Sequence, residues 1–190
     1  PDGPMVEKGA VAEILRQGNT AGSPTWTLNR SVWTKGSFAT AFNTTNTGMV
    51  DADVDFVNGV DVDSLGNTTS YTFVDPSGTS RTTKVRNTIH GGVVHSRPLP
   101  VNYGTQTVLY YGSDDGHYRA VDSKTGRELW SYVPEEFYGT LPRLRQNSPI
   151  IKYSFMNNVV VVPPPQPKDY HFDGSTGLWQ KADDSQIWIF

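Results

Sequence analysis

Five aspartates within thirteen residues form the grouping with the plainest chemical potential: "DADVDF" (Asp51, Asp53, Asp55) and "DVDSLGN" (Asp61, Asp63). Carboxylates at alternate positions with a glycine at the sixth are what a hard-cation loop requires, because calcium gathers several oxygen ligands around a tight turn. The first copy has Phe56 where that glycine belongs. The second keeps Gly66, but Leu65 occupies a ligand position and Thr72 stands where a bidentate glutamate would close the shell. Asp61 and Asp63 are therefore the metal candidates, with calcium as the ion, and a solvated acidic loop is the competing reading. Asp114, Asp115 and Asp122 form a second acidic grouping around a turn, although an Asp-Gly turn forms without any metal.

The remaining reactive residue types are sparse. His90 and His95, in "HGGVVHS", are five apart, which on a strand points them to opposite faces and argues against joint ligation of a metal. Hydrogen bonding to backbone is their expected role, and His117 and His171, each isolated, are expected to be structural as well. Ser96 follows His95, but no GxSxG elbow accompanies it, and neither GxGxxG nor GxxxxGK[ST] occurs. There is no cysteine, so disulfides, zinc-thiolate sites and thiol nucleophiles are all excluded. The expectation from these residues is a protein that is not an enzyme.

Composition narrows the class further. The 190 residues carry a formal net charge of -3 with no cluster of lysine or arginine, which lacks the electrostatic footprint of a nucleic-acid binder. No apolar run approaches the roughly 18 residues of a spanning helix. With 18 glycines, 13 prolines and 12% aromatics, the sequence has the turn-rich, strand-rich texture common in exported β proteins. Asn29, Asn43 and Asn67 lie in Asn-x-Ser/Thr sequons, which chance supplies readily in so Asn/Thr-rich a protein. The sequence starts at Pro1 without a signal segment and halts on the strand-like "SQIWIF" (Ser185 to Phe190), so it reads as an excerpt or a processed piece.

The elements that would position these residues fall into two regions. Residues 1–86 read as a lead-in segment with surface insertions. Its one helix is expected over residues 5–17, where Val6, Ala10, Val11, Ile14 and Leu15 are near helical spacing and Gly18 stops it. "TWTLNRSVWT", "SYTFV" and "SRTTKV" are its short strand candidates. Residues 87–190 read differently. "TVLYYGS", "HYRAVDS" and "RELWSYV" are short strands joined by "DDG" and "SKTG", the second turn placing Gly126 for a positive φ. Three such strands make a β-meander, the unit of a propeller blade, and also of a hairpin stack in an all-β sandwich. A weaker second pass runs through "NNVVVV", "DYHFDGSTGLWQ" and "SQIWIF". Trp130 and Trp179 each close a blade-like unit, where packing between blades is the expected role and stacking on a quinone the alternative.

The order of "IHGGVVHSRPLPVNYG", "VLYYGSDDGHYRAVDSKTGRELWSYVPEEF", "LPRL" and "DYHFDGS", with "VEKGAVAEILRQ" and "FVNGVDVD" upstream, resembles the C-terminal β-propeller domain of the PilC/PilY family of type IV pilus biogenesis and tip-adhesin proteins. The resemblance is strong over residues 89–180 and thin over 31–86. It implies a mainly all-β fold, an incomplete propeller with four-stranded blades of quinoprotein-like type plus one short N-terminal helix. It implies a non-enzymatic pilus assembly and retraction factor and tip adhesin, exported to the bacterial cell surface, the pilus tip or the outer membrane. Major and minor pilins and a host or abiotic surface are the implied partners, and the remaining blades or a partner polypeptide are expected to cover the strand at Ser185 to Phe190. Calcium is the implied cofactor, with its main site on a later blade beyond Phe190. A quinoprotein-type oxidoreductase and an envelope scaffold propeller share parts of the same motif. The former pattern also includes adjacent cysteines, which are missing here.

Overall fold

The computed structural model of the protein describes residues 9–20, 22–152, 160–183 and 185–190. The fold is mainly β. Its elements run α1 (Gly9–Arg16), β1 (Val32–Thr34), β2 (Ser37–Ala41), α2 (Thr44–Thr47), α3 (Asp51–Asn58), β3 (Tyr71–Val74), β4 (Ser80–Thr83), β5 (Leu99–Asn102), β6 (Thr107–Gly112), β7 (Tyr118–Asp122), β8 (Glu128–Tyr132), α4 (Pro142–Gln146), β9 (Leu178–Gln180) and β10 (Ile187–Ile189). Strands β5 to β8 form a four-stranded antiparallel meander. β1 adds in parallel to β8, and β2 closes that edge, so the sheet has the order β2-β1-β8-β7-β6-β5. The lead-in segment thus contributes two strands to the same sheet as the meander.

Local chemistry sets the meander. Gly116 and Gly126 take the left-handed φ values of 84° and 73° that their turns demand, and both positions are glycine. Asp122 tightens the second turn by accepting from the backbone N–H groups of Lys124 and Thr125. Leu99–Asn102, which supplies the fourth strand, was not among the expected ones.

Alternation along these strands gives the sheet two unlike faces. Register places Leu99, Tyr110, Ala120 and Trp130 across from one another, beside the row Gly112, Tyr118 and Tyr132. This aromatic face forms a core with Val101 and Val108, against which Ile187 and Ile189 pack. The opposite face carries Tyr111, Arg119 and Ser131. A β-bulge between Ala120 and Val121 pairs Val121 with Glu128 and leaves Leu129 as the extra residue. Regular alternation would have put Glu128 on the face of Trp130; the bulge turns it to the side of Arg119. A second core, Val32, Phe42, Val54, Val57, Val133 and Leu141, fixes α3 to the end of the sheet.

Several expectations are corrected. Among the described residues α1 runs from Gly9 to Arg16 and ends one residue before Gln17; residues 5–8 of the expected helix lie outside the described ones. It is not the sole helix, because "DADVDFVN" forms α3. Val54 and Val57, three apart, are buried in the core and stabilise a helix where a cation loop was the template. The strand candidates "SYTFV" and "SRTTKV", by contrast, are strands as expected, and they pair with each other as the β3–β4 hairpin. Of the second pass, β9 and β10 form a separate two-stranded sheet, and residues 153–159 of its first segment lie outside the described ones. The run at Ser185 to Phe190 is paired, but with β9 of the same polypeptide. Trp188 and Phe190 remain 65% and 79% exposed.

Candidate functional site

The lead-in segment covers the polar face of the sheet and supplies half of a buried ionic cluster. Glu128, with a fully buried side chain, accepts from Arg30 Nε at 2.8 Å and Nη2 at 2.9 Å, and from Arg119 Nε at 3.0 Å. Arg119, also fully buried, reaches on to Asp115 Oδ2 at 2.5 Å and to the Ser113 hydroxyl. Asn19 clamps the residue before the bulge: its side chain donates to the Glu128 carbonyl at 2.7 Å and accepts from the Glu128 N–H at 2.8 Å. Charges this far from water persist only when paired and hydrogen-bonded.

Arg30, the ring of His117 and a further arginine, Arg86, cap a helix. The last carbonyls of α3 carry its negative dipole end, and that of Phe56 also accepts from the Gly59 N–H at 3.1 Å. Arg30 Nη1 donates to the Asn58 carbonyl at 3.0 Å, His117 Nε2 to that of Val57 at 3.0 Å, and Arg86 Nη1 to that of Phe56 at 2.8 Å. A protonated Nε2 leaves His117 Nδ1 as an acceptor for the Ser131 hydroxyl at 3.2 Å. His90 takes the other tautomer: Nδ1 donates to the Gly91 carbonyl at 2.7 Å, and Nε2 accepts from the Tyr111 hydroxyl at 2.9 Å.

Burial and charge set the titration of this cluster. Burial, assisted by Arg30, depresses His117 to about 3, and burial with Arg119 depresses His90 to about 4, so both rings are neutral near pH 7. Burial alone would raise Glu128, but Arg30 and Arg119 outweigh it and hold the carboxyl down at about 2. Burial opposes ionisation of Asp115 too, and the Arg119 guanidinium, by its charge and its hydrogen bonds, nevertheless holds it well below the usual carboxylate range.

The predicted site residues separate. The Asp61 carboxylate accepts from the Thr69 hydroxyl at 2.7 Å. Asp63 closes an Asx turn, accepting from the N–H groups of Leu65 at 2.9 Å and Asn67 at 2.8 Å, and the Asn67 bonds hold its pKa below the ordinary value. Among the described residues no three His, Cys, Asp or Glu side chains converge as a metal cage. The first aspartate copy is dispersed around α3. Asp53 is buried and ion-paired to Arg145 at 2.7 Å, while burial and then Asp51 raise Asp55. Asp114 pairs with Lys168, and Asp122 is spent on its turn and on Gln106. His95 pairs with Asp173 at the surface, and neither His90 nor His95 sits on a strand. The Ser96 hydroxyl accepts from the Gly112 N–H at 2.9 Å, a structural bond. His171 lies between the Asp114 carbonyl and Thr140.

The aromatic face is open. A cleft of about 450 Å³ is lined by Phe38, Tyr103, Tyr110, Tyr118, Trp130 and Tyr132, with Ile187 and Ile189 on one wall. Trp130 meets Phe38 edge-on at 4.7 Å between centroids and tilts against Tyr110 at 6.0 Å and Tyr118 at 6.4 Å. Trp179 is half exposed and meets Trp188 edge-on at 6.5 Å. The cleft continues into a second hollow of about 360 Å³ between Tyr118, Tyr132, Phe172 and Phe190.

Sequence reasoning missed the ionic cluster because its members are distant along the backbone, Arg30 lying 98 residues from Glu128. Compared with protein-family models, curated proteins and solved structures, the sequence matches none.

Proposed function

We propose that this protein is a binding component of type IV pili, the first part of a PilC/PilY-type C-terminal propeller that serves pilus assembly and retraction and adhesion at the tip, without catalysis. Strands β5 to β8 are then the first blade, and the β9–β10 hairpin belongs to the next. The observation that carries the reading is the pair of unlike sheet faces. One face spends its charges on the lead-in segment; the other presents an aromatic cleft whose lining includes Tyr103, Tyr110, Tyr118 and Tyr132. Aromatic rings give large contact area at small cost in conformational entropy, and their polar tips tolerate water, which suits a surface that exchanges partners. Pilins, a host or abiotic surface, and further blades are the partners under this reading. Calcium would act mainly on a later blade.

Deletion of the gene, complemented with wild type or with Trp130→Ala, tests this. The expected result is loss of surface pili and of adhesion on deletion, restored by wild type and restored less by the variant. Unchanged piliation and adhesion in the deletion strain would refute it.

A further inference from the structure

On the ionic face, one buried cation has no carboxylate of its own. Arg86 is 7% exposed and its guanidinium lies 3.6 Å from the Phe56 ring centroid. Nε and Nη1 are spent on the carbonyls of Thr88 at 3.3 Å and Phe56 at 2.8 Å, whereas Nη2 has no hydrogen-bond partner among the described residues. Nor does any described carboxylate come within 4.0 Å of it. The nearby acids are already committed: Asp115 to Arg119, Glu128 to Arg30 and Arg119, and Asp114 to Lys168. Asp61 attracts Arg86 only from beyond ion-pair distance and is itself partly exposed, where solvent screens it. The helix dipole at the end of α3 offers about half a negative charge, and Arg30 shares it. The guanidiniums of Arg30, Arg86 and Arg119 are therefore matched on this face by the carboxylates of Asp115 and Glu128 alone, and an excess positive charge remains.

That excess charge borders a cleft. Arg86, Phe56, Val57, Thr88, His90 and Leu144 are among the residues lining a hollow of about 230 Å³. Burial lowers the Arg86 pKa to about 10, which leaves the group charged near pH 7.

We propose that this cleft is a binding site for a carboxylate-bearing ligand, with the carboxylate on Arg86 and a short hydrocarbon portion against Phe56, Val57 and Leu144. A single excess charge matches a monoanion. Asp114 and Asp115 also line the hollow, and their carboxylates oppose a dianion such as phosphate. Thr88 lines the same hollow and carries a hydroxyl, and the unspent Arg86 Nη2 offers a charge-assisted donor to a carboxylate oxygen. A water occupies about 30 Å³ of liquid, so the hollow has room for several waters or a short-chain acid. The C-terminus of a polypeptide offers the same chemistry as a small acid. The site uses none of the aromatic cleft, so it stands or falls apart from the pilus reading.

The test is an NMR titration of the ¹⁵N-labelled 190-residue protein with sodium propionate at constant ionic strength, with propanol as the uncharged comparison. Saturable shifts of the Thr88, His90 and Gly91 amides with propionate, and none with propanol, are expected. Leu144→Trp, which places bulk at the partly exposed mouth without removing any buried charge, is expected to weaken binding about tenfold or more; Arg86→Gln is expected to abolish it. A tripeptide with a free C-terminus, set against its C-terminal amide, separates the two sources. Tighter binding of the free acid peptide than of propionate assigns a polypeptide end, and propionate binding without peptide binding assigns a small metabolite; either supports the site. Absence of saturable shifts, equal shifts with propanol, or undiminished propionate binding by folded Leu144→Trp would each overturn it.

Discussion

Glu128→Gln removes the anion between two buried guanidiniums while keeping the side chain's shape. Glu128 accepts three charge-assisted hydrogen bonds, two from Arg30 and one from Arg119, at 2.8 to 3.0 Å. The amide keeps one acceptor oxygen and turns an N–H₂ group towards a guanidinium donor, so at least one buried donor loses its partner. Asp115, its side chain largely buried, is then the one carboxylate left on Arg119, with the Arg86 charge also within its influence. Breaking a buried pair in this way costs about 3–5 kcal/mol. At about 2–4 °C per kcal/mol for a domain of this size, the melting temperature falls by roughly 6–20 °C. Urea denaturation followed by tryptophan fluorescence reads the same loss as a shift in midpoint with unchanged slope. A double-mutant cycle with Arg30→Met should return a coupling of about 1.5 kcal/mol or more, because the two changes act on one network. A variant that loses under about 1 kcal/mol would mean that water reaches Glu128, and the buried-cluster description would be wrong.

Acid should destabilise the fold in two steps. His117 and His90 titrate in the folded protein at about 3 and about 4, below the ordinary histidine value of 6.5, so the unfolded state takes up protons first as pH falls. Stability should therefore be level above pH 6.5 and drop by roughly 2–3 kcal/mol per pH unit between about pH 6 and 4, as two proton differences predict. Glu128, depressed from 4.5 to about 2, adds a second loss as pH falls between those two values. Urea midpoints across pH check both, and a flat profile from pH 7 to 4 would refute the neutral buried histidines. Gly112→Ala would drive its Cβ into the Phe172 side chain and is expected to cost about 1–3 kcal/mol in a thermal melt; an unchanged melting temperature would show that the segment around Phe172 is not packed there. Calcium added after chelation is expected to leave the melting temperature unchanged, because the Asp61 and Asp63 carboxylates already serve Thr69, Leu65 and Asn67. A rise that saturates with calcium would show that those bonds exchange for the ion.

Local signals were legible and nonlocal ones were not. The Asp115-Gly116 and Gly126 turns, with the strands on either side, followed from turn chemistry and alternation, and those strands stand where the pattern put them. Leu99–Asn102 escaped because Pro98 and Pro100 flank Leu99, and prolines argue against a strand; Pro100 is tolerated because β5 lies at the sheet edge, where a missing N–H leaves no partner unsatisfied. α3 was masked because its alternating aspartates fit a loop template, although Val54 and Val57 carried a helical spacing. The ionic face was hidden twice over. Its partners meet across long stretches of sequence, and the bulge at Leu129 reverses the facing that alternation assigns to Glu128. Of the aromatic face only Trp130 was singled out, as packing between blades; that Tyr110 and Tyr118 share its side follows from the register of β6, β7 and β8.

The most direct measurement is binding of purified major and minor pilins to the immobilised protein, with a Tyr118→Ala, Trp130→Ala double variant alongside. Saturable pilin binding is predicted, and the double variant should weaken it at least about tenfold while remaining folded. Absence of pilin binding, or binding that ignores the loss of both rings, would contradict the assignment of the aromatic cleft to a pilus partner.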